Sequence, residues 1–393
     1  MSMVATAGPL PDEGSGDAIL TPSMLALAGM MLSAMGSCYL LLSAIPVHAA
    51  ALGGASAAGL STAALMTTTI IGELAAPGLI ARLGRRRALA AALLTMALPC
   101  LATFSNSLGL LLATCAARGL GLGVLLVAAC GLAAQLAPPT RRAEALGAFG
   151  VASAIPAIVA VPLGPWTLTS LGSGGTACIA AILAIAALFA VALLPKAVSA
   201  PKGEGHIISF PPLREALWPT TALAVSAVVV GAAITFLPLA HPELAPATIM
   251  VALLLQGLGA ACARWAAGRP VDRYGPVAAL IGATVFSILG FACLALPGAL
   301  PVLGGMAISG IAFGVVQSAS LSRLLARATP AQVDTVGALW NGAYDAGLGV
   351  GGLALGGLAT FLGYATSILV TGVGLALLAA VIFLHCEVRR TAC

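Results

Sequence analysis

Long apolar runs, separated by short polar or Pro/Gly-rich breaks, follow one another along almost the whole chain. A helix needs about 20 apolar residues to cross a hydrocarbon core of roughly 30 Å, and in lipid its backbone polar groups must be satisfied internally. The pattern therefore predicts an all-α membrane protein with twelve transmembrane helices. These predicted spans, numbered in chain order, are 24–48, 57–81, 88–105, 109–134, 144–165, 175–195, 217–240, 247–268, 277–297, 301–325, 335–359 and 364–385.

Composition supports a membrane location and excludes several classes of protein. Of the 393 residues 60% are hydrophobic and only 7% are charged, and the mean hydropathy is +1.10. A soluble domain carries roughly 25% charged residues, so this chain cannot coat a water-exposed surface. The numbers exclude a soluble enzyme, a nucleic-acid binder and a disordered scaffold.

The basic residues predict the orientation. Both termini share one side because the number of spans is even, and of the seventeen Lys and Arg residues only Arg118 lies away from that side, inside span 4. Lys and Arg are retained in the cytoplasm, so we expect both termini to be cytoplasmic, in a multi-pass protein of the inner membrane. The remaining basic residues are Arg82, Arg85, Arg86, Arg87, Arg141, Arg142, Lys196, Lys202, Arg214, Arg264, Arg269, Arg273, Arg323, Arg327, Arg389 and Arg390.

The longest internal polar stretch, 196–216, divides the spans six and six and predicts two helical bundles. The expected organisation is a cytoplasmic tail 1–23, a six-helix bundle 24–195, a cytoplasmic linker 196–216, a second bundle 217–385 and a tail 386–393.

The two predicted bundles also share spaced signals. Arg82 and Gly84 are repeated by Arg273 and Gly275, 191 positions later, and Glu144 with Gly147 is repeated by Asp334 with Gly337, 190 positions later. We interpret the chain as a duplicated six-helix unit with pseudo-symmetric halves.

These repeated segments resemble a known family. Gly268-Arg269-Pro270-Val271-Asp272-Arg273-Tyr274-Gly275 resembles the G-x-x-x-D-R-x-G loop signature of the major facilitator superfamily, and 82–87 is a degraded copy of it with Ala81 where the family carries Asp. Segments 118–123, 313–317 and 340–347 resemble patterns of its bacterial drug and sugar efflux members. The resemblance implies alternating access and gating loops containing Arg82, Gly84, Gly268, Asp272, Arg273 and Gly275.

Three ionisable residues are predicted near the middle of the bilayer. Glu73, Arg118 and Asp345 lie about 13, 15 and 16 Å from the nearest predicted span end or loop charge. A charge at that depth is costly, so each is a candidate for coupling proton movement to transport. Asp345 is the strongest candidate, because a carboxyl buried without a fixed cation can take and release a proton. A structural hydrogen bond is the alternative for Asp345, and an internal ion pair is the alternative for Arg118.

Several polar residues are predicted to contact a solute. Gly337, Asn341, Asp345 and Gly349 recur every four residues and share a helix face. The predicted substrate contacts are Arg118, Asn341, Gln317, Trp340 and Ser37. Arg264 is interpreted as an orientation charge whose side chain snorkels towards the interface, and His48 and His241 as interfacial residues.

These observations predict a secondary transporter that exports a small organic solute, either a drug-like compound or a sugar, by proton antiport. Proton-coupled import is the alternative within transport; a membrane sensor and an intramembrane aspartyl protease are alternatives from other classes. No G-x-x-x-x-G-K-[ST] motif occurs, which excludes ATP-driven transport. We expect no enzyme activity, cofactor, metal site or nucleic-acid partner; the expected partners are the solute, protons and membrane lipids, and a monomer suffices.

Overall fold

The computed structural model describes residues 19, 21–138, 141–194, 213–326, 328–329 and 332–388, and helices account for almost all of them. The α-helices are α1 Pro22–Leu83, α2 Arg85–Ala97, α3 Leu108–Leu136, α4 Arg142–Ala192, α5 Leu213–Ala240, α6 Pro246–Ala266, α7 Gly268–Cys293, α8 Ala299–Leu325, α9 Val333–Leu362 and α10 Tyr364–Val388. A short 3₁₀ helix, Leu98–Ala102, extends α2.

Twelve crossings account for these elements within the described residues. Helices α1 and α4 are 62 and 51 residues long, and each is broken by non-helical glycines, at Gly53 and Gly54 in α1 and at Gly172 in α4. Each therefore supplies two antiparallel crossings, and α2 with its 3₁₀ extension and the other seven helices supply one each. Eight of the described helices are long and apolar enough to cross a membrane on their own. The predicted all-α architecture with twelve spans is confirmed.

Several boundaries differ from the sequence prediction. Helix α1 begins at Pro22, after Thr21 accepts a hydrogen bond from the Met24 backbone N–H at 3.2 Å, and α5 begins at Leu213, inside the range predicted for the linker. The signature segment is helical from Gly268 rather than a loop, and the helix breaks only at Gly275. Most of the predicted tails, 1–23 and 386–393, and most of the linker 196–216 lie outside the described residues.

The internal repeat extends to the backbone conformation. Gly84 has φ 78° and ψ 154°, and Gly275, 191 positions later, has φ 78° and ψ 153°. The same offset relates Gly172 (φ 71°, ψ −179°) to Gly363 (φ 73°, ψ 166°). This region of φ and ψ is essentially restricted to glycine, so both halves turn at equivalent points by the same local means.

Helix packing repeats with the same offset. A β-carbon built on Gly119 would overlap the Leu65 carbonyl, and one built on Gly310 would overlap the Gln256 carbonyl; both members of the second pair lie 191 positions after those of the first. Through these two pairs, span 4 packs closely against span 2 and span 10 packs closely against span 8. Small residues let helix backbones approach this closely inside a membrane.

The two halves touch closely at one end of the molecule. We call the end where α1 begins and α10 ends the terminal face, and the other end, where α1 bends, the opposite face. Near the opposite face the Gly59 α-carbon lies against the Gly352 carbonyl, and the Ser56 and Thr360 hydroxyl oxygens are 2.7 Å apart. In the terminal half of spans 2 and 11, Gly78 has open space around it, as has Gly337. The tightest contact between spans 2 and 11 therefore lies towards the opposite face.

Candidate functional site

Arg118 is buried inside the N-terminal half, in the middle of α3. Its side chain is 1% exposed, and Nη2 donates a hydrogen bond to the Ser37 carbonyl at 3.2 Å. Nε and Nη1 have no hydrogen-bond partner, and none of the carboxylates among the described residues lies within 4.0 Å. Neither Glu73 nor Asp345 therefore neutralises this cation directly, and the N–H donors on Nε and Nη1 are available to a group that enters the protein.

Ser37, predicted as a substrate contact, lies next to Arg118 but points its side chain elsewhere. The residue is completely buried, and its hydroxyl oxygen lies 4.0 Å from Cys100 Sγ. What Ser37 offers to the site in this state is its backbone carbonyl, which orients the Arg118 guanidinium.

Asp345 lies in the middle of α9, in the C-terminal half, and is 7% exposed. Its carboxylate makes no hydrogen bond or ion pair within the described part of the chain. It lies within electrostatic range of Glu73, Tyr39 and Cys38, all of which belong to the N-terminal half. An ionised carboxylate is costly to bury without a partner, which makes Asp345 a candidate for taking up and releasing a proton.

Glu73 approaches Asp345 from the other half. It is half-buried on span 2, and its backbone nitrogen would lie 2.6 Å from a β-carbon built on Gly123 of α3. The absence of a side chain at Gly123 lets α3 approach the backbone at Glu73. The electrostatic interaction between Glu73 and Asp345 relates span 2 of one half to span 11 of the other.

The helix face predicted for α9 faces span 2 in part. Gly349 would meet the Met66 side chain at 3.1 Å if it had a β-carbon, and Asp345 interacts with Glu73 one turn away. Asn341, one turn further towards the terminal face, is exposed, and Gly337 has open space around it. This face therefore runs from a packed contact at Gly349 to accessible polar positions at Asn341.

Trp340 belongs to a group of contacting residues that could not be predicted from the sequence. Its Nε1–H donates to Ser320 Oγ at 3.0 Å, and the Arg264 guanidinium carbon lies 5.8 Å from the centre of its ring. Beside it the rings of Phe313 and Tyr344 stack with their centres 5.8 Å apart. Arg264 was interpreted as an orientation charge, but its guanidinium contacts Trp340 of α9. The available signal was its repeat position, 191 residues after Glu73.

The other predicted residues are placed as follows. Gln317 is partly buried on α8, and its backbone carbonyl accepts a hydrogen bond from Ser320 Oγ at 3.2 Å. Arg82 and Arg273 are exposed at the terminal face, next to the turns at Gly84 and Gly275. The backbones of Gly268 and Asp272 belong to the first turns of α7.

The described residues contain no group of three or more His, Cys, Asp or Glu side chains placed to hold a metal ion. The described cysteines are free thiols, and Cys38, Cys100 and Cys115 are buried in the N-terminal half. Cys38 lies within electrostatic range of both Arg118 and Asp345, so these two charged residues border the same region of the molecule.

Comparisons with solved structures show the same fold in several membrane transporters. The chain is similar to the crystal structure of the nucleoside transporter NupG, with 15% identity, a TM-score of 0.74 and coverage of 92% of this chain and 98% of that one. It is also similar to the POT family transporter PepTSo (13% identity, TM-score 0.74, 95% and 99% covered). A bacterial homologue of the human lysosomal transporter Spinster gives 17% identity and a TM-score of 0.71, with 92% and 96% covered.

No curated protein sequence matches the chain. A family model described as Major Facilitator Superfamily matches residues 26–336, which is well over half of the chain. The family and the structural neighbours indicate a multi-pass membrane transporter of a small molecule and not an enzyme. The chain belongs to the major facilitator superfamily.

Proposed function

We propose that this transporter exports a small organic solute across the cytoplasmic membrane in exchange for protons, with Asp345 as the proton-carrying residue. The observation that carries the proposal is the position of Asp345. It is almost fully buried, makes no hydrogen bond or ion pair with the described residues, and faces Glu73 across the boundary between the halves. The solute is expected to be a drug-like compound or a sugar.

The proposed cycle follows from the charges around this boundary. When Asp345 is ionised, its interaction with Glu73 is repulsive if both carry a charge, so a proton or the solute must relieve the repulsion. Protonation of Asp345 removes the buried charge and lets the halves rock around the region between them. Arg118 keeps its charge throughout, because a guanidinium does not lose its proton in proteins, and it is proposed to anchor a polar group of the solute.

Other residues contribute to solute binding and to closure in this proposal. Asn341 and Gln317 contact the solute from the C-terminal half, together with Trp340, and Ser37 orients Arg118. Arg82, Gly84, Gly268, Asp272, Arg273 and Gly275 control closure of the terminal face, which we propose to be cytoplasmic together with both termini. The protein acts as a monomer, since one chain contains both halves.

Solute-driven proton movement in proteoliposomes tests the proposal. A thermal-shift screen of sugars, antibiotics and metabolites first identifies a ligand, because ligand binding to the native state raises its apparent stability. A pH-sensitive dye trapped in the vesicles then reports proton flux when that ligand is added. Asp345→Asn should abolish proton flux while leaving exchange of labelled ligand across the vesicle membrane intact.

The control and the contradicting results are equally specific. Glu144→Gln changes an exposed carboxylate that pairs with Arg141 at the terminal face, and it should retain solute-driven proton flux. Proton flux through Asp345→Asn at the wild-type rate would remove Asp345 from the mechanism. Solute and protons moving in the same direction would replace antiport by proton-coupled uptake, and ligand binding without any flux would indicate a sensor.

A further inference from the structure

Arg264 occupies the position in the C-terminal half that Glu73 occupies in the N-terminal half. Each lies eleven residues before the positive-φ glycine of its half, Gly84 or Gly275. Measured along a helix, that is about 16 Å from the glycine. Gly314 packs against the Arg264 backbone nitrogen, at 2.9 Å from a built β-carbon, as Gly123 packs against that of Glu73. The two halves therefore present opposite charges from equivalent positions.

The Arg264 side chain is directed along the inner wall of its half. It reaches from α6 to Trp340 of α9, and Ser320 of the intervening α8 fixes the Trp340 indole. Arg264 also interacts electrostatically with Tyr344, which in turn interacts with Cys38 of the N-terminal half. These contacts place the guanidinium on the wall that faces the other half and explain why it does not serve as a snorkelling interfacial charge.

The contact with Trp340 leaves the hydrogen-bonding edge of the guanidinium unused. A cation–π contact engages the charge against the aromatic ring, whereas the five N–H donors of arginine lie in the guanidinium plane. The Arg264 side chain makes no hydrogen bond or ion pair within the described residues, and the residue is exposed. A fixed cation with free, planar donors suits the two oxygens of a carboxylate.

We propose that Arg264, held by Trp340, is a binding site for the carboxylate of a small organic anion. Tyr344 lies between this site and Asp345 and interacts with both, so anion binding and proton binding use separate groups. The inference deepens the proposed function, on which it rests for its physiological meaning, by assigning a carboxylate to the transported solute.

The binding test uses the purified full-length protein in detergent, without a membrane or a pH gradient. The chain has four tryptophans, and replacing Trp166, Trp218 and Trp265 by Phe leaves Trp340 as the only tryptophan whose fluorescence is excited selectively over that of tyrosine. The probes are cyclohexanecarboxylate, cyclohexanemethanol and cyclohexylmethylamine, which match in shape, differ in charge and do not absorb in the tryptophan range. Only the carboxylate should produce a saturable change, with an affinity about tenfold or more above the other two.

Two variants connect this signal to the guanidinium. Arg264→Gln should weaken carboxylate binding by about tenfold or more, because the charge and the planar donors are lost, whereas Arg264→Lys keeps the charge and should show an intermediate loss. Arg87→Gln, which removes an exposed arginine at the terminal face, should leave binding unchanged.

Three results would overturn the site: equal or tighter binding of the amine, unchanged carboxylate binding in Arg264→Gln, or no saturable signal from any of the probes. The comparison of the three probes needs no Arg264 variant, so it remains decisive if Arg264→Gln does not fold. Asp345→Asn should still bind the carboxylate. Failure of proton coupling therefore leaves this site standing, and failure of carboxylate binding would remove the site without removing Asp345 from the proposed proton pathway.

Discussion

Two histidines occupy related places in the two halves. His48 Nε2 lies 3.1 Å from the Ser105 carbonyl oxygen, and His241 Nε2 lies 2.9 Å from the Leu294 carbonyl oxygen. Each links the end of the first crossing of its half to the end of the third. His241 differs in that its Nδ1 also faces Glu243 at 3.0 Å. A carbonyl and a carboxylate are both acceptors, so each contact is a hydrogen bond when the facing ring nitrogen of His241 carries the proton.

Glu243 gives the C-terminal contact a dependence on pH. Hydrogen bonds from its own backbone N–H and from His241 hold the pKa of Glu243 below its usual range. Its stabilising contribution is therefore present above the ordinary glutamate pKa of about 4.3 and is lost as the pH falls through the lowered folded-state value.

The expected effect of Glu243→Gln follows from that sign. The variant should unfold at a slightly lower temperature than the wild type at mildly acidic pH, where the carboxylate is ionised, and the difference should vanish in strong acid. The effect is small because the group is exposed to solvent. Thermal unfolding across a pH series measures it. The same substitution made on a His241→Asn background should have a weaker effect, and a difference independent of pH would contradict the assignment.

At the scale of residues, the sequence predicts how deep a side chain lies in the membrane better than it predicts which residues surround that side chain. Asp345 and Glu73 could be predicted because an acid in an apolar run is conspicuous and its depth follows from the helical rise. The contact of Arg264 could not be predicted, because it is made with Trp340, whose indole is bonded to Ser320, and these residues lie 76 and 56 positions away in the chain. Likewise, nothing in the pattern around Ser37 shows that its carbonyl, and not its hydroxyl, meets Arg118.

At the scale of helices, glycines at the helix contacts set the distance between neighbouring spans. Gly119→Ala and Gly310→Ala would each place a methyl group against a backbone carbonyl of the neighbouring helix, that of Leu65 or Gln256. We expect each to destabilise the fold by about 1–3 kcal/mol, as overpacking does. Thermal unfolding in detergent is the measurement, and the two variants should behave alike because they are related by the repeat.

Glycines with open surroundings provide the matched control. Gly29→Ala and Gly374→Ala lie within helices where a β-carbon has no neighbour within 4 Å. They should be neutral or stabilising by up to about 1 kcal/mol, since alanine favours the helix. If all four substitutions had the same effect, the close packing at Gly119 and Gly310 would not contribute to stability.

The helix count was predictable and some of the breaks were not. Lipid forces each long apolar run to be helical, so the number of crossings follows from run lengths. The turns at Gly54 and Gly172 lie in the gaps 49–56 and 166–174 between predicted spans, where Gly, Ser and Thr interrupt the apolar runs. In the opposite sense, residues from Gly268 to Tyr274 carry charges typical of a loop, yet they continue as a helix until Gly275 supplies the positive φ.

At the scale of the molecule, contact between the halves at the opposite face defines the observed state. If alternating access requires this contact to open, joining Ser56 to Thr360 should stop transport. Their hydroxyl oxygens are 2.7 Å apart, a separation close to that needed for a disulfide between cysteines at these positions. The double variant Ser56→Cys, Thr360→Cys should lose ligand exchange on oxidation and recover it with reductant.

Single-cysteine variants control for the substitutions and for the native thiols. Ser56→Cys alone and Thr360→Cys alone should retain exchange under both conditions. Full activity of a double variant shown by mass spectrometry to be cross-linked would mean that the halves need not separate there.

The closure at the opposite face is made of glycine backbone and neutral hydroxyls: Gly59 against Gly352, Ser56 with Thr360, and Thr62 with Thr235 at 3.0 Å. Mobile ions screen charges and have little influence on uncharged contacts. Arg82, Arg87 and Arg273, by contrast, are exposed at the terminal face. Under the proposed alternating access, ionic strength should act on the conformational equilibrium through the terminal face alone. Salt should ease the mutual repulsion of the arginines when that face closes, and the contact at the opposite face should be as strong in concentrated salt as in dilute buffer.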